Sequence, residues 1–209
     1  MNYIEALNNR YSVKKFDDTK KISSEILNRI LQAGKLSASS LGLQPYKILV
    51  VETESVLKEL IPTFYNPSQI STCSHLIVIV SKKNIEPSYL DGYFRHITEV
   101  RDQTIESLQL FRNNIEFFID KFEEEHQLSW AEKQSYIVLG NLMFAAALEN
   151  VDTCPMEGFM GEKMEDVLGL DTKNEKISVT LALGYRAEDD AFQHLKKVRK
   201  PDEKLFKFI

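Results

Sequence analysis

Several things are scarce in this chain, and each scarcity excludes something. Two cysteines, Cys73 and Cys154, occur in 209 residues, with no Cys-x-x-Cys. That excludes a disulfide framework and a redox dithiol, and predicts two free buried thiols in a reducing, cytoplasmic setting. Glycine is sparse, at eight residues, with no Gly-x-Gly-x-x-Gly following a strand, so a Rossmann dinucleotide site is unsupported. Gly158 to Lys163 lacks both the spacing and the following hydroxyl of a P-loop, and no Gly-x-Ser-x-Gly elbow is present. Ligand-like spacings are confined to Cys73-x-His75 and His96-x-x-Glu99, neither with a third ligand nearby in sequence, so no metal is expected.

Long apolar runs are also missing. The most apolar segment, Ile137 to Leu148, is interrupted by Gly140 and Asn141. It reads as a buried helix and is too short for a bilayer, so no membrane association is expected. The opening Met-Asn-Tyr-Ile-Glu has neither the basic nor the apolar region of a secretory signal, which again predicts a cytoplasmic protein. Positive charge is in deficit: 26 Lys and Arg stand against 31 Asp and Glu, for a net charge of -5. A general nucleic-acid binder is therefore not expected.

Against that acidic background, two local basic clusters stand out. Arg10-Tyr11-Ser12-Val13-Lys14-Lys15 holds three cations and two hydroxyls, and Lys197 and Arg199 lie near the other end. Arg and Lys give charge-assisted hydrogen bonds to phosphate oxygens, so the clusters are either halves of one small-anion site or separate solvated charge runs.

The remaining pattern is that of one mixed domain over residues 1–209. Ser23 or Ser24 can cap a helix running to Lys35, with Ile22, Ile26, Ile30 and Leu31 on its apolar face. A hydroxyl-rich loop, Ser37 to Pro45, follows. Ile48–Val51, Leu76–Val80 and Ile177–Leu183 read as strands, the middle one buried on both faces. Helical periodicity runs from Ser88 to Glu125, and a second long helix from Ser129 to Asn150. Ser129 and Glu132 match a capping box. Gly140 and Ala145 to Ala147 would admit a closely packed helix. Pro155-Met156-Glu157-Gly158 is either a plain turn or a backbone shaped to approach a flat ligand. Leu205-Phe206-Lys207-Phe208-Ile209 is strand-like and apolar; it would complete either its own sheet or a partner's. The fold class expected is α+β, with helices covering a small sheet.

Four signals occur in order: Arg10-x-Ser12-x-Lys14-x-Phe16, Ser39-Ser40-x-x-x-Gln44-Pro45-Tyr46, Pro155-x-Glu157-Gly158 and Lys197-x-Arg199-x-Pro201. Together they resemble the nitroreductase family of FMN-dependent NAD(P)H oxidoreductases, above all its oxygen-insensitive nitroreductase and dihydropteridine reductase branch. The resemblance spans Ile4 to Arg199. It implies a three-layer α/β/α sandwich with a mainly antiparallel sheet, in a homodimer that exchanges C-terminal strands. It further implies that Arg10, Ser12, Lys14, Lys197 and Arg199 surround the FMN phosphate, with backbone contacts from Tyr11. Ser39 and Ser40 would face the other subunit's flavin. Asn66 and Gln69 would meet the pyrimidine side of the ring. Pro155 would shape the turn, and Glu157 and Gly158 would present N–H groups to N5 and O4; Glu157 is the best catalytic candidate by this route. Phe117 and Phe118 would contact substrate.

The implied activity is two-electron, ping-pong reduction of a nitroaromatic, quinone or pteridine-like acceptor by NADH or NADPH. Two other readings stay open: a specialised ene-reductase or dehalogenase, and a non-enzymatic flavin-binding protein. The chain departs from the family pattern in three places. Gln69 stands where some members carry Lys, Tyr46 replaces the commoner Trp, and the segment around Phe117, Phe118 and Phe122 is slightly shorter.

Overall fold

The computed structural model describes residues 2–209, apart from the side chain of Glu124. Its centre is a sheet of β1 (Tyr46–Val51), β2 (His75–Lys82), β3 (Asp152–Met156) and β4 (Glu175–Gly184) in the order β1-β2-β4-β3. All three pairings are antiparallel. β2 is fully buried over His75 to Ser81, as a continuous apolar run in a central strand requires.

Alternation along the strands divides the core between two faces. Leu76, Val78 and Val80 face a layer containing α3 (Glu54–Leu60), α4 (Ser68–Thr72) and α8 (Gly161–Leu168). Ile77 and Ile79 face α2 (Ser24–Lys35) and α7 (Glu124–Leu148). A bulge between Ile79 and Val80 shifts the register against β4. It puts Ile177 on the first face and Val179, Leu181 and Leu183 on the second. The result is the expected α/β/α sandwich. Two further helices, α5 (Pro87–Arg101) and α6 (Gln109–Ile119), enclose a satellite core with Phe94, Ile115 and Trp130.

The Ser23 cap is present, its hydroxyl accepting from the Ile26 N–H at 3.3 Å. The helical stretch read over Ser88 to Glu125 is instead divided. Asp102 takes a left-handed φ of 52°, ending α5 without the glycine usually found there. Ser129 caps nothing: α7 starts five residues earlier at Glu124, because helix formers precede Ser129 and Trp130 packs on Phe118 and Phe122. The close helix approach comes from α2 and not from Gly140, which is exposed. A Cβ on Gly34 would lie 2.7 Å from Leu142 Cδ2.

Pro155 and Met156 belong to the edge strand β3, where a proline is tolerated. The C-terminus adds no strand to its own sheet among the described residues. Asp202–Leu205 is one helical turn, α9, and Phe208 and Ile209 are fully exposed.

Candidate functional site

The two chain ends meet beside the C-terminal end of β4 and the edge of β3. A capping box of Asn2 and Glu5 starts α1 (Tyr3–Asn9), and Arg10 leaves it in extended conformation. The next residues run along β3: Ser12 bridges Thr153, and the Val13 N–H donates to the Thr153 carbonyl at 3.2 Å. Val13 and Phe16 are buried as pegs. Extended backbone alternates its side chains, so Ser12 and Lys14 face away from Val13. Past β4, Phe16 bridges Arg186 and the Ala187 N–H donates to the Lys15 carbonyl at 3.0 Å. That pairing carries residues 186–199 back over the N-terminal segment.

Arg10, Tyr11, Ser12, Lys14, Lys197 and Arg199 consequently line one cavity of about 360 Å³. Lys197 Nζ donates to the Leu7 carbonyl at 2.9 Å and to the Arg10 carbonyl. The cations are crowded. Burial and then Arg199 hold the Arg10 guanidinium below its ordinary value. Burial, then Arg10 and Arg199, do the same to Lys197. Arg10 Nε is buried with no hydrogen-bond partner. No ion pair found among the described residues includes Arg10, Lys14, Lys197 or Arg199. In a chain of net charge -5, a cation cluster without an ion pair among the described residues, and with an orphaned donor, fits a bound anion such as phosphate. Lys15 points elsewhere, to Asp189 at 2.5 Å.

A second pocket of about 270 Å³ lies against the end of β3 and is lined by Asn66, Gln69, Pro155, Glu157 and Gly158, with Cys154 and Tyr65. Lys14 lines both pockets. Its Nζ lies 3.9 Å from Cys154 Sγ, as does Gln69 Nε2. Two loops are pinned together to form the wall: the Tyr65 N–H donates to the Gly158 carbonyl at 3.0 Å, and the Met160 N–H to the Thr63 carbonyl at 2.7 Å. Asn66 Oδ1 accepts from the Ser68 N–H at 3.2 Å. Glu157 and Gly158 lie beyond the last rung of the β3–β4 ladder, Met156–Thr180. A Cβ on Gly158 would meet only Tyr65 Cδ2, at 3.7 Å, so packing within the chain does not require glycine there.

Ser39 and Ser40 line neither pocket. They sit in a clamped loop in which Leu41 and Gln44 take positive φ of 57° and 46°. Tyr93 Oη donates to the Leu41 carbonyl at 3.0 Å and Tyr89 Oη to the Leu43 carbonyl at 2.7 Å. Phe117 is exposed on α6 under Lys121, while Phe118 packs edge-on against Phe122 and Trp130. Within one chain, neither phenylalanine lines these pockets.

Three contributors were not legible in the sequence. Buried Asp190 accepts from the N–H groups of Lys14 at 2.7 Å, Lys15 at 2.8 Å and Phe192 at 2.9 Å, fixing the cationic turn. Arg186 pairs with Asp152, Nε to Oδ2 at 2.9 Å, and its guanidinium lies 4.6 Å from the Tyr11 ring centre. Tyr136, on α7, donates its hydroxyl to Glu157 Oε1 at 2.5 Å. Each is a long-range pairing that no local spacing announces. Both cysteines are free and buried, as expected, and burial pushes the Cys73 thiol up to about 12. Among the described residues no cluster could hold a metal ion, and no helix is long and apolar enough to cross a membrane.

An antiparallel sheet between helical layers, with a cationic cavity and a second pocket that share Lys14 in their walls, defines an α+β protein. The chain belongs to the nitroreductase family, whose family model matches residues 7–185. It is 37% identical to a candidate NAD(P)H nitroreductase of Staphylococcus haemolyticus, across 99% of this chain and 96% of that protein. Among solved structures, a candidate NAD(P)H:FMN oxidoreductase of Staphylococcus epidermidis has a TM-score of 0.86 at 24% identity, over 100% of this chain and 96% of that one. A candidate nitroreductase of Exiguobacterium sibiricum in complex with FMN also has a TM-score of 0.86, at 21% identity, over 100% of this chain and 98% of that one.

Proposed function

We propose that the chain is an FMN-dependent oxidoreductase that uses NADH or NADPH to reduce nitroaromatic, quinone or pteridine-like acceptors. One observation carries this reading. The cation cluster without ion pairs and the pocket past β3 share Lys14 in their walls, which suits a ligand with a phosphate at one end and a ring at the other. Family membership and the FMN held by the Exiguobacterium protein support it.

A bound flavin would supply the redox chemistry, accepting two electrons from the reduced nicotinamide and passing them to an acceptor. This chain's residues would position and neutralise. Arg10, Lys14, Lys197 and Arg199 would balance the phosphate charge, with Ser12 donating a hydroxyl and Tyr11 backing them. The Asn66 oxygen is engaged by Ser68, so its amide remains to donate to the ring. Gln69 would offer a neutral amide at the ring edge. Pro155 would hold the strand end, and Glu157 and Gly158 would offer their N–H groups. Glu157 would act catalytically through that backbone donor. No side-chain nucleophile is required.

The proposal includes a homodimer. Ile137 and Gly140 on α7 and the apolar C-terminal residues are exposed in the single chain. The strained loop bearing Ser39 and Ser40 is held rigid yet touches neither pocket of its own chain, which suits a role across an interface. Phe117 would then contact acceptor at the partner's site, with Phe118 anchoring α6. The two unpaired buried thiols support a cytoplasmic setting. Anaerobic NADH or NADPH should bleach the flavin-loaded protein, and a nitroaromatic or quinone should restore its colour. Loaded protein that no nicotinamide bleaches would contradict enzymatic function.

A further inference from the structure

Glu157 and Gly158 follow the last rung of the β3–β4 ladder, so the sheet no longer dictates how their peptide planes are turned. Thr180 Oγ1 on β4 still donates to the Met156 carbonyl at 3.1 Å and so restrains the Met156–Glu157 peptide, and three contacts restrain the chain beyond it. The Phe159 N–H donates to the Glu157 carbonyl at 3.0 Å, and the Tyr65 N–H donates to the Gly158 carbonyl at 3.0 Å. The third comes from the opposite helical layer: Tyr136 Oη donates to Glu157 Oε1 at 2.5 Å. The first two restrain the loop from within its own layer. Among these contacts of the described residues, the third ties the loop to α7, a 25-residue helix packed along the sheet.

We infer that Tyr136 is a positioning residue, which acts through the Glu157 carboxylate to hold the Glu157–Gly158 peptide facing the ring pocket. The inference rests on the FMN reading above. A phenol hydrogen-bonded to a carboxylate is shorter and stronger than a neutral pair. Burial, then Glu157 itself, pushes the Tyr136 hydroxyl up to about 12, so it stays a donor throughout the neutral range. Tyr136 lines neither the cationic cavity nor the ring pocket, so its effect passes through Glu157.

Tyr136→Phe removes the hydroxyl and keeps the ring. In the apo-protein, amide hydrogen exchange over residues 157–160 should quicken, while β2 remains protected. In the FMN-loaded protein the visible absorption bands of the flavin should shift. FMN affinity should stay within about two-fold, because the phosphate contacts are untouched. The kcat with NADH and menadione should fall by about ten-fold, less than loss of a direct electrostatic donor would cost. Glu157→Ala should produce the same changes, and adding Tyr136→Phe to it should produce no more. Unchanged exchange and spectrum in Tyr136→Phe, or effects that add to those of Glu157→Ala, would overturn the inference. Failure of the wild-type protein to bind FMN would instead overturn the reading beneath it, and the apo exchange experiment would still report on the tether.

Discussion

The ammonium of Lys197 donates to the carbonyl oxygen of Leu7 at 2.9 Å, across 190 positions of sequence. A cation that caps the backbone just before Arg10 places the C-terminal cluster on the N-terminal one. Burial and then Arg199 lower Arg10, while burial and then Arg10 and Arg199 lower Lys197, so charge crowding adds to the cost of desolvation where the two clusters meet.

Gly158 separates ligand demands from packing demands. The chain leaves room for a methyl group at this position. Gly158→Ala should therefore change the melting temperature by less than a few degrees, since surface changes without a lost contact cost about 0.5 kcal/mol or less. FMN retention should fall on gel filtration, because the methyl group would project from a pocket wall. An Ala variant that keeps FMN as well as wild type would show that Gly158 does not approach the ring.

Asp190 should govern part of the acid stability. Burial alone would raise its pKa, but the N–H groups of Lys15, Phe192 and Lys14 outweigh burial and lower it. A carboxyl depressed in the fold contributes stability that is complete above its unfolded value of about 3.9 and is lost as pH falls through the folded value. Asp190→Asn should thus be less stable at neutral pH and show a flatter decline below about pH 4. Asp190→Ala, which orphans three donors, should cost about 3 kcal/mol. Urea unfolding at pH 7 and pH 3 measures both.

The C-terminal residues test the dimer. Truncation after Lys204 removes Leu205 to Ile209, of which Leu205 and Phe206 are half-exposed and Phe208 and Ile209 fully exposed in the single chain. The truncated chain should keep its secondary structure and dissociate at higher concentration than wild type in analytical ultracentrifugation. An unchanged dimerisation constant would place the interface elsewhere.

The elements that sequence made visible are those with strong periodicity or a local cap. The buried run of β2 and the Ser23 cap of α2 are examples. The break at Asp102 was hidden because a left-handed aspartate replaces the usual glycine signal. Ser129 misled because a capping-box spacing also occurs by chance inside a helix. Of the candidate site, Arg10, Ser12, Lys14, Lys197 and Arg199 do converge, as do Asn66, Gln69, Pro155, Glu157 and Gly158. Asp190 and Tyr136 were hidden because each acts on a residue distant in sequence.

Fluorescence titration of apo-protein with FMN and with riboflavin probes the proposed phosphate clamp built from both chain ends. Riboflavin has the ring and lacks the phosphate. Charge-assisted hydrogen bonds contribute about 1.5–3 kcal/mol each, so wild type should prefer FMN by at least about 100-fold. The Lys197→Ala/Arg199→Ala variant should lose most of that preference while binding riboflavin as wild type does. Equal affinity of wild type for the two ligands, or a preference for FMN that survives in the variant, would contradict such a clamp.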